Sequence, residues 1–230
     1  MHLEEIIKRL EDDDPTLTEL CLSNKKIGDD EAIALATALT RNNNTKLESL
    51  DLSRNQIGSL GATAISRALK NNTTLDRLYL RGNQIGDLGV GALAKALTKN
   101  TTLRVLFLPQ ILIENAAAEV FAWALERNAT LEVLCLDINF IGDVGAAALA
   151  WALETNTTLK ELCLSYNQIG NDGAEALTSA LETNITLEKL HLDNNQITDA
   201  LIEDIWNKMH RYPLDIVGNG SELATNCSQR

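Results

Sequence analysis

The feature that most constrains the fold of this chain is an internal repeat of 28 residues. Each copy follows the pattern Leu-x-x-Leu-x-Leu-x-x-Asn-x-Ile-Gly or a close variant of it. Copies begin at Leu47, Leu75, Leu103, Leu131, Leu159 and Leu187, and one further copy begins at Leu17, 30 residues before Leu47. Because a fixed period of this length is the signature of stacked repeats, we predict seven units over residues 17–212.

Each unit changes its hydrophobic period partway along. In the third unit Leu78 and Leu80 alternate with Arg77 and Tyr79, as expected of a half-buried strand. The second half of the same unit carries an apolar stripe with helical spacing: Val90, Leu93, Ala94 and Leu97. Parallel strands lie about 4.8 Å apart and packed helices about 8–10 Å apart, so the stack must curve. We therefore predict a right-handed α/β solenoid shaped as a horseshoe segment, with a parallel sheet on the concave face and helices on the convex face.

Polar residues recur at both ends of the predicted helices. The residue two after the loop isoleucine is a good N-cap in every unit: Asp29, Ser59, Asp87, Asn115, Asp143, Asn171 and Asp199. An asparagine follows the last helical leucine in six units: Asn42, Asn72, Asn100, Asn128, Asn156 and Asn184. We expect the first set to cap the helices that they begin, and the second set to end helices in the left-handed conformation.

The two ends of the chain differ from the repeats, as capping segments should. Residues 1–16 are predicted to form a capping helix and a turn, with an apolar stripe at Leu3, Ile6, Ile7 and Leu10. Trp206 and Met209 give the last helix a bulkier apolar face. Residues 213–230 are predicted to be a C-terminal cap followed by a frayed tail.

The repeat pattern resembles the leucine-rich repeat, and its 28-residue helical form resembles the ribonuclease-inhibitor and NOD-like-receptor subtype. The N-terminal segment from Ile6 to Leu22 resembles the start of the tropomodulin repeat domain. That family caps actin filaments, using long upstream segments that this sequence does not contain, so the resemblance makes actin a possible partner. The Ran GTPase-activating family uses the same repeat, which makes a small GTPase another possible partner.

Composition narrows the class of partner. The chain has 20 Lys and Arg against 32 Asp and Glu, which gives a net charge of −12. Such a balance argues against binding to nucleic acid and against docking on anionic membranes. The acidic N-terminus does not resemble a signal peptide, and four scattered cysteines are typical of reduced thiols. We therefore predict a cytoplasmic protein, and a monomer.

Two surfaces on the concave side are candidates for partner binding. Four arginines cluster around Tyr79 and Phe107 in an otherwise acidic chain: Arg54, Arg77, Arg81 and Arg104. Arginine and tyrosine dominate interface energetics, although a solvated strand face is the alternative interpretation.

The second surface arises because the fourth unit breaks the pattern. Ile111 replaces the repeated asparagine and Glu114 replaces the loop glycine. Leu112 and Phe140 stand where other units have glutamine, and Val105, Val133 and Ile138 lie nearby in the predicted fold. We expect an exposed apolar patch that marks a partner site; the alternative is local repacking that buries Ile111 and Leu112.

Two further sets of residues have structural interpretations. Trp123 and Trp151 share one helix position and are expected to pack into grooves between helices, with self-association as the alternative. Cys135, Cys163 and His191 share one strand column. A straight row of donors suits a tetrahedral metal poorly, so free thiols, with no metal and no cofactor, are expected.

The sequence favours a non-enzymatic scaffold that binds a protein partner through the concave face of units two to five. No nucleophile–base pair and no phosphate-binding loop can be argued from its residues. The alternatives are a GTPase-activating protein that uses Arg54 or Arg81, and a protein that binds the end of an actin filament.

Overall fold

The computed structural model describes residues 3–41, 46–202 and 205. In these residues strands and helices alternate along the chain. The helices are α1 (Leu3–Glu11), α2 (Asp29–Arg41), α3 (Ser59–Asn71), α4 (Gly86–Leu97), α5 (Asn115–Leu125), α6 (Asp143–Thr155) and α7 (Asn171–Ala180). The strands are β1 (Glu19–Cys21), β2 (Ser49–Asp51), β3 (Arg77–Tyr79), β4 (Val105–Phe107), β5 (Val133–Cys135), β6 (Glu161–Cys163) and β7 (Lys189–His191). Helical backbone also covers residues 199–202.

The strands form one parallel sheet in sequence order, from β1 to β7. Their register pairs the same repeat position in every unit: Leu20, Leu50, Leu78, Leu106, Leu134, Leu162 and Leu190. These leucines are buried against the helices, each of which packs on its neighbours along the chain. A single unit has nothing to cover this face, whereas a stack of units covers it continuously. The predicted α/β solenoid is confirmed.

The asparagines at the helix ends that the structure describes do not adopt the left-handed conformation, so that prediction is wrong for Asn72, Asn100, Asn128, Asn156 and Asn184; Asn42 lies outside the described residues. Asn72 and Asn156 have extended backbone, with φ near −75°. Asparagines of this set are buried and reach back one unit: Asn128 Nδ2 donates to the Leu97 carbonyl at 2.7 Å. Asn128 Oδ1 accepts from the amides of Thr130 and Leu131. The side chain therefore supplies a hydrogen-bond partner for a buried carbonyl at the end of the helix in the unit before it.

The residues predicted as N-caps also act between units. Asp143 Oδ1 accepts hydrogen bonds from the amides of Gly170, at 2.6 Å, and Gly173, at 3.0 Å, which lie at the start of the next helix. Asp29 and Asn115 do the same one unit ahead of themselves. The expectation that they cap their own helices is wrong. A Cβ at Gly173 would lie 2.7 Å from the Asp143 carboxylate, so glycine is required there for space.

A third set of asparagines forms a ladder beside the strands. Asn55 Nδ2 donates to the carbonyls of Leu52, in its own unit, and Leu22, in the unit before it. Its Oδ1 accepts from the amides of Lys25 and Ile27. The same position is held by Asn83, Asn139, Asn167 and Asn195. Each buried amide side chain thereby joins two units of the stack.

The ladder and the forward-reaching caps both change between units three and four, which we call the seam. Ile111 stands where the ladder asparagine opposite Ile85 would be. Glu114 and Ala117 replace the two glycines that leave room for the preceding carboxylate, and Glu114 has the same charge as Asp87. The loop of unit three also differs, because the backbone of Ile85, just before α4, is in the right-handed α conformation and Gly86 has a φ of +63°. Gly86 therefore begins α4 in a conformation that favours glycine.

The N-terminal helix α1 covers the first unit, with Ile6 and Leu10 buried against it. Its orientation is held by Asp14, whose Oδ2 lies 2.7 Å from Arg9 Nε and whose Oδ1 accepts from the Thr16 amide and hydroxyl. A helix thus closes the apolar interior of the stack at this end. Trp206, Met209 and the tail predicted over 213–230 lie outside the described residues.

We expect the Asp14 carboxyl to titrate about two units below an ordinary aspartate. The hydrogen bonds from Thr16, and then that from Arg9, lower its pKa to about 2, because they favour the charged form. Since the folded value is the lower one, the contribution of Asp14 to stability is present above pH 4 and is lost as the pH falls towards 2. Carboxyl chemical shifts followed by NMR would measure the titration. The combined variant Arg9→Ala with Thr16→Val should return the pKa towards 3.8, and an unchanged value would contradict this assignment.

Candidate functional site

The concave side of strands β3 to β6, which faces away from the helices, carries a second apolar cluster. Phe107, Cys135 and Cys163 are buried in it, and Tyr79 packs on Phe107 with ring centroids 5.2 Å apart. Val105 and Val133 cover the other side and remain half-buried. The prediction that Phe107 is exposed is therefore wrong. Neighbouring parallel strands are so close that large side chains in one column cover each other.

The four arginines of the candidate surface lie along units two to four, in different surroundings. Arg54 is exposed, and Arg81 is half-buried. Arg104 makes a short ion pair with Asp76, which Arg77 also approaches at 3.7 Å. The acidic residues within 4.0 Å of Arg77 or Arg104 include Glu19, Asp76 and Glu132. The positive charge of Arg54 is thus the most available to a partner.

A row of large side chains is exposed at the carboxyl ends of strands β4 to β6. We call it the rim patch; its members, with their exposed fractions, are Leu112 (60%), Ile138 (39%), Phe140 (46%) and Tyr166 (52%). Ile111 is fully buried, so the repacking alternative holds for that residue and the patch holds for Leu112. Tyr166 was not predicted from the sequence, although it lies 28 residues after Ile138 and occupies the same position of the repeat.

The rim patch is held on strained but firmly bonded backbone. Leu112, Ile138 and Tyr166 have φ values of +65°, +55° and +57°. The left-handed conformation is unfavourable for side chains with a Cβ and most of all for a β-branched one. The amides of Ile138 and Tyr166 donate to carbonyls of the next unit at 2.9 and 2.8 Å. These bonds fix the backbone at Ile138 and Tyr166, which lowers the entropic cost of binding a partner there.

The convex side carries an exposed aromatic pair and a basic groove. Trp151 is exposed, so the expectation that it packs into a groove between helices is wrong for this residue, whereas Trp123 is partly exposed and lines a groove along α3 to α5. The Arg127 guanidinium lies 4.7 Å from the centroid of Trp123. Both residues line a groove of about 740 Å³ along α3 to α5. Its basic lining residues are Arg67, Lys70, Lys95, Lys99 and Arg127.

Polar groups gather at the concave side of strands β5 to β7. The Cys135 thiol lies 3.1 Å from Asp137 Oδ2, and the Cys163 thiol lies 3.7 Å from Glu161 Oε1. His191 Nε2 is 3.2 Å from the same Glu161 oxygen. Burial raises the pKa of Cys135 well above its ordinary value and raises that of Asp137, whereas the hydrogen bond with His191 lowers the pKa of Glu161.

The shared column of Cys135, Cys163 and His191 was predicted from the sequence, and the structure brings the three residues together. The two carboxylates were not predicted, because Glu161 and Asp137 belong to the columns on either side. Side chains two residues apart on a strand point to the same face, and that periodicity is the signal that finds them.

Seven leucine-rich units, in one parallel sheet backed by helices, make this chain a leucine-rich-repeat protein. The family model described as the TMOD/LMOD Leucine-rich domain matches residues 1–110, and a Leucine Rich repeat model matches residues 155–177 and 183–200. The chain is thus a leucine-rich-repeat protein with tropomodulin-like features. A search of curated proteins gives no match.

Two solved structures are similar over most of this chain. One is described as leiomodin-1 actin-binding site 2; it is 18% identical, with 92% of this chain and 91% of that chain covered and a TM-score of 0.41. The other is the tropomodulin C-terminal domain of Caenorhabditis elegans; it is 14% identical, with 92% and 93% covered and a TM-score of 0.49. Among the described residues, none of the helices has the length and apolar character needed to cross a membrane.

Proposed function

We propose that this chain is a non-enzymatic interaction domain that binds a protein partner with the rim patch and the adjoining arginines of the concave face. The observation that carries the proposal is the exposure of four large side chains in neighbouring units at one edge of the sheet: Leu112, Ile138, Phe140 and Tyr166. Clustered exposed apolar side chains mark partner sites.

The neighbouring charges define the chemistry of the partner. Arg54, which is exposed, and Arg81, which is half-buried, follow β2 and β3 at the same edge of the sheet as the rim patch, in units two and three. Rim charges guide encounter and orientation, while the apolar centre supplies most of the affinity. The surface therefore suits a partner that presents an apolar segment followed by acidic residues. Phe107 has no part in this surface, because it is buried.

The experiment compares capture of partners by the wild type with capture by two double variants. Leu112→Ser with Phe140→Ser removes the centre of the rim patch, whereas Leu88→Ser with Ile185→Ser removes two apolar side chains elsewhere that are at least as exposed. We expect at least roughly tenfold weaker capture by the rim variant and unchanged capture by the control, with melting temperatures of all three close together. Equal capture by the rim variant would overturn the proposal.

Actin is the second candidate, favoured by the match of residues 1–110 to the tropomodulin and leiomodin leucine-rich model. That region includes Arg54, Arg77, Tyr79 and Arg81 of the concave face. Pyrene-labelled actin would show slower elongation of filaments if the chain binds their ends, and Arg54→Ala should relieve the effect. Unaltered elongation would remove actin as the partner while leaving a role for the rim patch open to the capture experiment. The GTPase-activating alternative would be removed by unchanged GTP hydrolysis in a set of small GTPases.

A further inference from the structure

We propose that the concave side of units five to seven is a zinc-binding site built on Glu161, Cys163 and His191. The three residues are buried, and one donor atom of each lies within 4.8 Å of the other two. Cys163 and His191 are register partners on β6 and β7, and Glu161 is two residues before Cys163 on the same strand. The sheet therefore fixes all three positions relative to one another.

The spacing of these donors is close to that of a tetrahedral zinc site. Bonds of about 2.0–2.3 Å at tetrahedral angles place two ligand atoms roughly 3.3–3.8 Å apart. Glu161 Oε1 lies 3.2 Å from His191 Nε2 and 3.7 Å from Cys163 Sγ. A carboxylate, a thiolate and an imidazole are all ligands that zinc accepts.

A second group of donors adjoins the first through Cys163. Cys135 Sγ and an Asp137 carboxylate oxygen lie within 4.8 Å of Cys163 Sγ and of each other. Cys135 is the register partner of Cys163 on β5. The donors do not form a straight row, because Glu161 and Asp137 come from the columns on either side. Donors that come from more than one column can approach a metal ion from different directions, which a single row cannot do.

The charges around the site also favour a cation. Two carboxylates, those of Glu161 and Asp137, are brought together in a partly desolvated place. Lys189 Nζ lies 3.8 Å from Glu161 Oε2, so one oxygen of this carboxylate already faces a positive charge. When zinc binds, the S–H bond of Cys163 breaks, a zinc–sulfur bond forms and the proton goes to solvent.

The test uses the full chain, reduced and freed of metal with a chelator, and zinc as the probe. Calorimetric titration should show that the chain binds one equivalent of Zn²⁺. Repeating the titration in two buffers of different ionisation enthalpy should show that binding releases protons, because the measured heat then differs between the buffers. Cobalt(II) should give an intense sulfur-to-cobalt absorption band. The melting temperature should rise by roughly 5 °C at saturating zinc, since only the folded state holds the assembled ligands.

Two variants and one control separate a built site from adventitious binding. Cys163→Ser and His191→Gln should each weaken zinc binding by about 100-fold or more and abolish the cobalt band or shift it. Cys21→Ser changes the cysteine at the same position of the first unit, where Asp51 and Ser23 are its neighbours, and should bind zinc like the wild type. Circular dichroism checks that each variant is folded. The proposal is overturned if the wild type does not bind at micromolar zinc, or if folded His191→Gln binds as tightly as the wild type.

Discussion

Replacing Asn139 with alanine is expected to lower the free energy of unfolding by about 3–5 kcal/mol, because its buried side chain makes hydrogen bonds to two units. Asn139 Oδ1 accepts from the amides of Ile111 and Ile113, both at 3.1 Å. Its Nδ2 donates to the carbonyls of Leu108 and Leu136. Alanine would leave these four buried groups without their partner, and each unsatisfied group costs roughly 1–3 kcal/mol.

Chemical denaturation followed by circular dichroism would measure this effect. The matched control is Asn71→Ala, because Asn71 is an exposed asparagine of α3, and its replacement should change the free energy by no more than about 0.5 kcal/mol. A loss below about 1 kcal/mol in Asn139→Ala would mean that water or a shifted backbone satisfies the four groups. Such a result would also contradict the conclusion that the asparagine ladder joins neighbouring units.

Phe107→Ala is expected to destabilise the fold by about 3–5 kcal/mol, because it would open a cavity in the concave cluster. Phe107 is buried against Tyr79, Cys135 and Cys163, so its ring contributes to packing and not to an exposed contact. The comparison variant is Phe140→Ala, which removes a half-exposed ring of the rim patch and should cost less than about 1 kcal/mol.

Thermal and chemical unfolding of the two phenylalanine variants would decide whether the Phe107 ring packs in the concave cluster or is displayed to a partner. A stable Phe107→Ala protein would restore the view that this ring is displayed to a partner. The opposite pair of results, a destabilised Phe107→Ala and a stable Phe140→Ala that binds weakly, would place recognition at the rim and packing at the column.

The repeat predicted the fold well because its leading signal, leucine at a constant interval, depends on one physical requirement. Leu50, Leu78 and Leu106 must all be buried, and strands in register bury them together. The same reasoning assigned the outward positions to solvent, and there it failed for Phe107. Outward columns of neighbouring strands are close enough for large side chains to shield each other, a property of the stack that no single unit contains.

The side-chain hydrogen bonds between units could also not be predicted by interpreting each unit separately. Asp143 has the composition and position of a cap, but the amides that it serves belong to the next unit. The signal for this bond in the sequence is the pair Gly170 and Gly173, because the Asp143 carboxylate of the preceding unit leaves little room for a Cβ at either position. For the rim patch, Leu112 and Phe140 stood out as departures from glutamine, whereas Tyr166 required the positions to be compared across all units.

The seam between units three and four has a consequence for how the molecule opens. On both sides of it, each unit is tied to the next by a ladder asparagine and by a forward-reaching side chain at the helix start, which is Asp29, Ser59, Asn115, Asp143 or Asn171. Neighbouring units should therefore lose their structure together. At the seam Ile111, Glu114 and Ala117 remove those two kinds of tie, so fewer side-chain hydrogen bonds join the units there. Units one to three and units four to seven should therefore behave as two cooperative blocks, with amide hydrogen exchange dividing along that boundary.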